Sequence, residues 1–347
     1  MTRADVVGVA DETWVLTDGS VGMENQGLAV AEAVGLPVIT KRVRRTGPWR
    51  WLPTTWQLAA PALTLISDID RSGDFLNPPW PRLVISIGRH SVPLTLAIRR
   101  LSGGRTFAVH IQNPKVPLSR FDLVTAPLHD ALEGGNVVTT LGAPHRVTAA
   151  RLAAQEEEFA RAVAGLPRPR VTVLLGGNSK AFRFAEAEAI ALCDDLAALH
   201  LKTGCSFLVT PSRRTGETVT NILRARLATL PAVIWDGRGP NPYFGYLALG
   251  DAIVATSDSV NMVTEAAGTG KPVYVYPLPG KSKRFARFHA EMERCGATRP
   301  FVRALAEGLA SWRYTPINDT ARVADAIKER MARARVASPV GAVGSAA

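Results

Sequence analysis

Four apolar segments of this sequence end in short loops of glycine and small polar residues, and a helical pattern follows each loop. The loops are TDGSVGMENQG (17–27), LLGGNSK (174–180), TPSRRTG (210–216) and TSDSVN (256–261). Strands that alternate with helices in this way are typical of a parallel sheet covered by helices on both faces. The repeated order of strand, polar loop and helix therefore predicts the α/β class.

The alternation runs twice along the 347 residues, a length that accommodates two domains. A polar amphipathic helix over 149–166 leads into the Pro/Arg stretch GLPRPR, after which VTVLLGG restarts the pattern. We predict two Rossmann-like doubly wound domains facing across a cleft. The predicted bounds are 1–148 for the N-terminal domain, 149–170 for a linker, 171–335 for the C-terminal domain and 336–347 for a flexible tail.

The composition provides for a buried core, because hydrophobic residues make up 46% of the chain. The formal net charge is +11, part of which reflects an Arg- and Ala-rich composition typical of a GC-rich bacterial genome. A basic surface also attracts phosphates and anionic lipid. No stacking platform or reading-helix motif accompanies the charge, so nucleic acid is not an expected partner.

The cysteine pattern indicates a reducing compartment. Cys193, Cys205 and Cys295 lack metal-ligand spacing and form an odd, sparse set, which does not suggest a disulfide framework. The first residues, MTRADVVGVADETW, contain no long apolar core, so a signal peptide is not expected. The longest uncharged run, 51–67, contains prolines and polar residues and is short for a membrane span. We therefore expect a cytoplasmic protein that can bind peripherally to the inner membrane.

The polar loops are candidates for an anion site. A helix that begins after such a loop presents unpaired backbone N–H groups and the positive end of its dipole. The same residues are also ordinary N-caps, and a basic stretch such as PGKSKRFARFH (279–289) is also an ordinary solvated face. Three such loops in the second half, two of them with cations, favour the anion site. Its candidates are Gly176, Gly177, Asn178, Ser179, Lys180, Ser212, Arg213, Arg214, Asp258, Ser259, Asn261, Lys281, Ser282 and Lys283.

Glu265 lies on the helical pattern that follows the loop 256–261. Residues four apart on a helix share a face, so Asn261 and Glu265 point to the same side. A carboxylate there can accept two hydrogen bonds from a sugar diol. The helix dipole also favours a glutamate in the first turns, and this structural explanation stays open.

A basic and aromatic segment, KRVRRTGPWRWLPTTW (41–56), precedes the longest uncharged run. Tryptophan favours the membrane interface, and Lys and Arg favour anionic headgroups. Aromatic residues packed under a loop are the alternative. The predicted membrane contacts are Arg44, Arg45, Trp49, Arg50, Trp51 and Trp56.

Motifs spread over most of the chain resemble the Elm-type mitochondrial fission family, whose bacterial members are glycosyltransferase candidates. They are LTDGSVGMENQG, HIQNP, LLGGNSK, TPSRRTG, NPYFGYLALGD and TSDSVNMVTEAAGTGKPVYVYPLPGKS, in that order. A more distant resemblance is to GT-B glycosyltransferases of the MurG type, which add N-acetylglucosamine to a lipid-linked acceptor. It implies a GT-B fold, a nucleoside-diphosphate-sugar donor such as a UDP-sugar, and no required metal or cofactor.

The MurG-type resemblance also implies roles for single residues. It places Glu265 on the ribose hydroxyls of the donor and Ser259, Asn261, Gly177 and Asn178 near its diphosphate. We predict donor contacts from Glu265 and from all the anion-site candidates. It assigns the acceptor side to Gly19, Ser20, Asn25, Gln26, Gln112 and Asn113. Met23 stands where the MurG-type loop has a histidine proposed as the base. The catalytic candidates that could substitute for it are Asp18, Glu24 and His110.

Three functions compete for this sequence: glycosyl transfer, nucleotide-sugar epimerisation and a non-catalytic, membrane-associated role. Epimerisation is disfavoured because that chemistry needs a nicotinamide, and the chain has no G-x-G-x-x-G after its first strand and no Tyr-x-x-x-Lys pair. A GT-B shell that keeps its binding but loses its chemistry fits the third function. We predict a peripheral-membrane glycosyltransferase that acts on a hydroxyl acceptor, with lipid-linked sugars as one class.

Overall fold

The computed structural model describes residues 9–47, 51–69 and 74–337. The strands are β1 (Val9–Thr17), β2 (Val38–Arg42), β3 (Trp80–Ile87), β4 (Phe107–Ile111), β5 (Leu123–Pro127), β6 (Val137–Thr140), β7 (Arg170–Leu175), β8 (Ser206–Pro211), β9 (Ala232–Ile234), β10 (Ala252–Thr256), β11 (Val273–Tyr276) and β12 (Thr298–Pro300). The helices are α1 (Val21–Val34), α2 (Thr54–Gln57), α3 (Ala62–Ser67), α4 (Ser91–Leu101), α5 (Ala149–Phe159), α6 (Glu186–Thr203), α7 (Glu217–Leu227), α8 (Tyr243–Leu249), α9 (Val260–Ala267), α10 (Lys283–Arg294), α11 (Phe301–Glu307) and α12 (Thr320–Ala337).

The described residues divide into two compact units, each built on one parallel six-stranded sheet. The first unit runs to His145 and resumes at Asn318, and its strand order is β2-β1-β3-β4-β5-β6. The second unit is Arg146–Ile317, with the order β12-β11-β10-β7-β8-β9. The strand order reverses between β1 and β3 and between β7 and β10, which are the switch points of doubly wound sheets. The predicted fold class of two Rossmann-like doubly wound domains is confirmed.

Successive residues of the central strands are buried on opposite faces of the sheet. In β1, Trp14 and Leu16 pack into one core cluster and Val15 packs into another. Both faces are apolar because helices cover both, as expected for a parallel sheet. The side chains of the central strands therefore pack in the core. A ligand of such a sheet contacts the loops at the carboxyl ends of the strands.

The last helix belongs to the first unit, which corrects the predicted C-terminal domain bound of 335. Val323 and Ile327 of α12 join the core cluster that contains Val15 of β1. His145 N donates to Thr320 Oγ1 at 3.0 Å, and this hydroxyl donates to the His145 carbonyl at 3.1 Å. Helix α12 packs on the first unit because its apolar face completes a core whose other residues lie in the first half of the sequence.

The predicted linker 149–170 is part of the second unit. Helix α5 packs against α8, where a Cβ added to Gly245 would stand 2.6 Å from the Phe159 ring. The Arg151 guanidinium also lies over the Phe244 ring, 5.5 Å from its centroid. These contacts make α5 a packed helix of the second unit.

Candidate functional site

The candidate site lies at the carboxyl edge of the second sheet, at the switch point between β7 and β10. The loop after β7 contains Gly176 and Gly177, and the loop after β10 contains Asp258 and Ser259. Ligands of open α/β sheets bind outside the carboxyl ends of the strands at such a switch point. Two of the loops predicted from the sequence therefore meet where a ligand is expected.

A buried carboxylate connects the loops at this edge. The Asp258 side chain is fully buried and pairs with Arg214 Nη2 at 2.8 Å. It also accepts hydrogen bonds from Gly177 N at 2.9 Å and from Thr256 Oγ1 at 2.7 Å. A buried charge is stable only when it is paired and hydrogen-bonded in this way. Asp258 and Arg214, predicted as direct donor contacts, therefore bind each other and hold the loops together.

Both glycines of the loop after β7 are required by the packing of the loops. A Cβ on Gly176 would stand 2.2 Å from the Asp258 carboxylate, and a Cβ on Gly177 would stand 2.0 Å from the Arg214 carbonyl oxygen. Ser212, another predicted donor contact, donates through Oγ to the Gly176 carbonyl at 2.7 Å. These two positions are glycine because the loops after β7, β8 and β10 approach each other too closely for a side chain.

The polar side chains of the following residues shape the same loop. Asn178 Oδ1 accepts a hydrogen bond from Phe184 N at 2.8 Å, and Asn178 Nδ2 donates to the Phe184 carbonyl at 3.1 Å. Ser179 Oγ accepts from Phe182 N at 3.1 Å. Lys180 is exposed, so its ammonium is the group of this loop that is free to reach an anion.

Helix α9 begins at this edge, and Ser259 is its N-cap, with Oγ accepting from Met262 N at 3.4 Å. Ser257 lies just before it and accepts a hydrogen bond from Leu278 N at 3.0 Å. The first turn of a helix offers backbone N–H groups and a dipole end that favour an anion. Asn261 lies in that turn, as the sequence predicts. The geometry of the α9 N-terminus suits a phosphate group.

Glu265 is buried in the second turn of α9, where Tyr243 Oη donates a hydrogen bond to its Oε2 at 2.5 Å. Burial raises the pKa of Glu265 to about 7, and the hydrogen bond from Tyr243 opposes that rise. The carboxylate is therefore close to its ionisation midpoint near neutral pH. Tyr243 is not among the residues predicted for the site, although it lies in the motif NPYFGYLALGD. Nothing in the sequence pairs Tyr243 with Glu265, because the two residues lie on different helices, α8 and α9.

Cationic side chains collect beside the same edge. The loops around Phe182 and Gly280 form an antiparallel bridge, and Lys281 N donates to the Ala181 carbonyl at 3.2 Å. The bridge brings the backbones of Lys180 and Lys281 close together. Besides Arg214, which pairs with Asp258, the exposed cations of these loops and of the neighbouring loop after β8 are Lys180, Arg183, Arg213, Lys281 and Lys283. They supply positive charge to the edge of the sheet, and Ser282 is the N-cap of α10.

Asp18 and Glu24 lie at the carboxyl end of β1 in the first unit, in different environments. Asp18 is exposed, and its Oδ1 accepts a hydrogen bond from Ser20 N at 2.9 Å. Glu24 is bound at two points by Arg42, with Nη2 to Oε1 at 2.7 Å and Nε to Oε2 at 2.9 Å. Asp18 is the more available carboxylate of the two.

His110 lies in the core of the first unit, which corrects its prediction as a catalytic base. The ring is buried in β4, and Nδ1 is 2.9 Å from Ser86 Oγ. Burial lowers the pKa of His110 to about 3, so the imidazole stays neutral. No substrate reaches a side chain that is enclosed between strands and helices.

The acceptor-side candidates are mostly engaged in local structure. Gln26, predicted on the acceptor side, is buried. Gln112 has a left-handed φ of 80°, and Asn113 Oδ1 accepts from Lys115 N at 2.9 Å in the loop after β4. Gly19 is also left-handed, with φ 84°, and the remaining candidates Ser20 and Asn25 are half-buried.

The predicted membrane contacts divide into exposed and buried residues. Trp51 and Trp56 are 76% and 67% exposed, and Arg44 is also exposed. Arg45 is buried and pairs with Asp68 at 3.0 Å, which corrects its prediction as a membrane contact. The remaining two, Trp49 and Arg50, lie outside the described residues.

The apolar surface extends beyond the predicted membrane segment. Leu63 and Phe75 are 69% and 60% exposed. They line a groove of about 550 Å³ together with Ile69 and Leu76. Within the described residues, no helix is long and apolar enough to cross a membrane.

The family model described as mitochondrial fission ELM1 matches residues 21–331. The chain belongs to the mitochondrial fission ELM1 family. The family resemblance predicted from the motifs is thereby confirmed.

Two relatives extend the family match. Mitochondrial fission protein ELM1 of Arabidopsis thaliana is 35% identical over 276 residues, which cover 73% of this chain and 64% of that protein. This member of the ELM1 family therefore spans less than two thirds of the length of the Arabidopsis protein. Uncharacterized protein RP120 of Rickettsia prowazekii (strain Madrid E) is 24% identical over 358 residues, which cover 91% of this chain and 97% of that protein.

Solved structures share the fold of this ELM1-family chain. The UDP-GlcNAc 2-epimerase from Methanocaldococcus jannaschii has a TM-score of 0.54 at 12% identity, covering 94% of this chain and 99% of that chain. The UDP-GlcNAc 2-epimerase from Neisseria meningitidis, bound to UDP-GlcNAc, has a TM-score of 0.54 at 12% identity, covering 92% and 99%. Os79 from O. sativa, in complex with UDP, has a TM-score of 0.50 at 12% identity, covering 93% and 95%. The whole described chain therefore has a GT-B-like fold.

These neighbours bear on the epimerase alternative. Epimerisation was disfavoured from the sequence because a nicotinamide fingerprint is missing. Proteins named as UDP-GlcNAc 2-epimerases have this two-sheet fold over nearly their whole length. The fold alone therefore does not exclude epimerisation.

Proposed function

We propose that this protein is a glycosyltransferase that binds a nucleoside-diphosphate-sugar, most simply a UDP-sugar, at the carboxyl edge of its second sheet. The observation that carries the proposal is the position of Glu265 one turn behind the N-terminus of α9. A carboxylate there can bind a ribose diol while the helix N-terminus receives the diphosphate. Neighbours of the same fold with UDP-GlcNAc or UDP bound support this class of donor.

The proposed reaction joins an acceptor hydroxyl to the anomeric carbon of the donor sugar. The bond from the anomeric carbon to the diphosphate oxygen breaks, and the nucleoside diphosphate leaves with the electron pair. Asp18 takes the proton of the hydroxyl in this proposal, because it is exposed and Glu24 is held by Arg42. The α9 N-terminus and the ammonium groups of Lys180 and Lys281 would offset the charge of the leaving group, so the proposal requires no metal.

The proposed acceptor is a lipid-linked hydroxyl compound at an anionic membrane surface. Trp51 and Trp56 are exposed, and so is Arg44, which precedes them in the sequence; tryptophan and arginine together favour the membrane interface. Leu63 and Phe75 add exposed apolar surface to the same unit. This surface supports peripheral membrane binding of the first unit.

The test is calorimetric binding of UDP, GDP, ADP, CMP and NAD to the purified protein and to Glu265→Ala. We expect selective binding of one nucleoside diphosphate and a loss of at least about tenfold in affinity in Glu265→Ala. Glu217→Ala, which removes an exposed glutamate from the first turn of α7, is the matched control and should bind normally. Equal affinity in Glu265→Ala would reject the ribose assignment, and binding of NAD alone would reject the donor class.

The alternatives differ in what they do to a bound sugar nucleotide. An epimerase would change the configuration of one carbon of the sugar in UDP-GlcNAc without needing an acceptor. Proton NMR of the sugar would show this change. A glycosyltransferase would release UDP faster when a hydroxyl acceptor is present. A non-catalytic, membrane-associated protein would bind vesicles and leave every sugar nucleotide unchanged.

A further inference from the structure

Tyr243 and Glu265 form a pair at the edge of the candidate site. Tyr243 Oη donates to Glu265 Oε2 at 2.5 Å, and no hydrogen bond from the described residues reaches Glu265 Oε1. Glu265 is 7% exposed, so its carboxylate is not shielded completely. One oxygen is therefore held by the protein, and the other is available to a ligand.

The amino end of α8 is fixed where Tyr243 begins the helix. Tyr243 N donates to Asn241 Oδ1 at 3.0 Å, which closes the turn into the helix. The ring edge of Tyr243 lies against Phe244, with centroids 5.5 Å apart. Behind them, the Phe159 ring fills the space that a side chain on Gly245 would need. The Tyr243 hydroxyl is therefore presented by a helix that is packed and bonded on the side of α5.

The carboxyl end of α8 is fixed as well. Lys271 Nζ donates to the carbonyl oxygens of Leu247 at 2.9 Å and Gly250 at 2.7 Å. Thr172 Oγ1 of β7 donates to the Tyr246 carbonyl at 2.5 Å. A cation at the carboxyl end of a helix also complements the helix dipole. Helix α8 is thus attached to the sheet and to the loop after α9, and it can act as a rigid support for Tyr243.

The protonation states favour a constant direction for this hydrogen bond. The pKa of Tyr243 is raised well above its usual value, first because its hydroxyl is buried and second because Glu265 is next to it. The hydroxyl therefore stays protonated and remains a hydrogen-bond donor. Burial raises the pKa of Glu265 to about 7, and the Tyr243 hydroxyl stabilises the ionised form. A ribose diol donates hydrogen bonds, so it also favours the ionised carboxylate.

Few other ionisable groups face Glu265 from the elements packed around it. Helix α9 packs against β10, which has no ionisable side chain, and against β11, whose ionisable residues are Tyr274 and Tyr276. Tyr274 Oη accepts a hydrogen bond from Ala310 N at 2.9 Å, and burial raises the pKa of both tyrosines. Both tyrosines are neutral near pH 7. Asp258, before the helix, is paired with Arg214, and Lys271, after it, is bound to α8.

We propose that Tyr243 is a positioning residue for the nucleotide: its hydroxyl holds one oxygen of Glu265 so that the other oxygen points at the ribose diol. This inference rests on the proposed donor site and adds the residue that orients it. Nucleotide affinity then rises as the pH passes upward through the pKa of Glu265, because only the ionised carboxylate accepts both hydroxyl hydrogen bonds.

The test compares Tyr243→Phe with Tyr246→Phe in the full chain. Tyr243→Phe removes only the hydroxyl, and Tyr246→Phe is the matched control because Tyr246 lies one turn later on α8 and is buried there. UDP affinity is measured by calorimetry from about pH 5.5 to about pH 8.5, a range that spans the raised pKa of Glu265. We expect Tyr243→Phe to bind UDP about tenfold more weakly at neutral pH, with the rise in affinity moved to higher pH. Tyr246→Phe should match the wild type in both respects.

A titration without nucleotide separates this inference from the proposed function. The ¹³C shift of the Glu265 carboxyl, assigned with Glu265→Gln, should titrate at higher pH in Tyr243→Phe than in the wild type. Equal affinity and equal midpoints in wild type and Tyr243→Phe would overturn the positioning role, and so would an equal loss in Tyr246→Phe. If the wild type binds no nucleotide at any pH, the proposed function fails and this inference fails with it, even where the carboxyl titration shifts.

Discussion

Asp18, Glu24 and His110 show that surroundings decide what a residue can do. Within the described residues, no hydrogen bond reaches Asp18 Oδ2, while Oδ1 accepts from Ser20 N at 2.9 Å. Glu24 is bound at two points by Arg42, and this contact raises the pKa of Arg42. Burial lowers the pKa of His110 to about 3. Asp18 is therefore the candidate that is open to solvent and free to accept a proton.

Replacing Asp18 by Asn should remove the base and keep the shape of the loop, because the amide oxygen can still accept from Ser20 N. We expect turnover of a sugar nucleotide with a hydroxyl acceptor to fall by about 100-fold or more, with UDP affinity unchanged. Initial rates of UDP release and calorimetry measure the two effects separately. A large loss in Glu24→Gln and none in Asp18→Asn would assign the base to Glu24 instead.

At the scale of elements, α8 depends on a cation from outside the helix. The Lys271 ammonium donates to the carbonyl oxygens of Leu247, Ala248 and Gly250. Burial lowers the pKa of Lys271 to about 8, so the ammonium is still mostly charged at neutral pH. The last carbonyl groups of a helix have no partner within the helix, and Lys271 supplies one.

Replacing Lys271 by Met keeps the apolar stem and removes the donor for these carbonyl groups. We expect the free energy of unfolding to fall by about 1.5–3 kcal/mol, the range for hydrogen bonds to charged groups. Lys202→Met is the matched control, because Lys202 also donates to two carbonyl oxygens, those of Leu305 and Ala306, but is exposed. Denaturant unfolding measures both, and an equal loss in the two variants would show that burial of Lys271 adds nothing.

On the scale of the whole molecule, the most exposed large apolar side chains of the first unit fall within the sequence stretch 51–75. Trp51, Trp56, Leu63 and Phe75 are each at least 60% exposed. In the second unit, Leu201 and Val302 are also exposed, but they lie on separate helices. Interfacial binding uses exposed tryptophan and apolar side chains together with cations, and Arg44 is an exposed cation of the same unit.

Changing Trp51 and Trp56 together to Ser should weaken membrane binding without unfolding the chain, since both side chains are exposed. We expect the fraction that floats with phosphatidylglycerol vesicles to fall about tenfold, because each tryptophan loses its interfacial partitioning. Leu201→Ser with Val302→Ser is the matched control and should float like the wild type. Unchanged flotation of the tryptophan variant would reject membrane binding through this surface.

The fold class was predictable because it depends on local pattern. The apolar runs of β1, β7 and β10 and the polar loops after them specify strands, switch points and helix starts through periodicity alone. The domain bounds could not be predicted from local pattern, because α12 completes a core formed by residues at the other end of the chain. The burial of His110 could not be predicted either, since the sequence of a strand does not show whether a helix covers its histidine.

The candidate site shows the same division. That glycine, serine and aspartate follow β7 and β10, and that Glu265 lies on the face of α9 shared with Asn261, can be read directly from the order of residues. The pairing of Asp258 with Arg214 and the hydrogen bond from Tyr243 to Glu265 become visible only in the folded chain. Periodicity fixes which side of its own helix or strand a residue occupies, whereas a hydrogen bond between elements depends on how those elements pack.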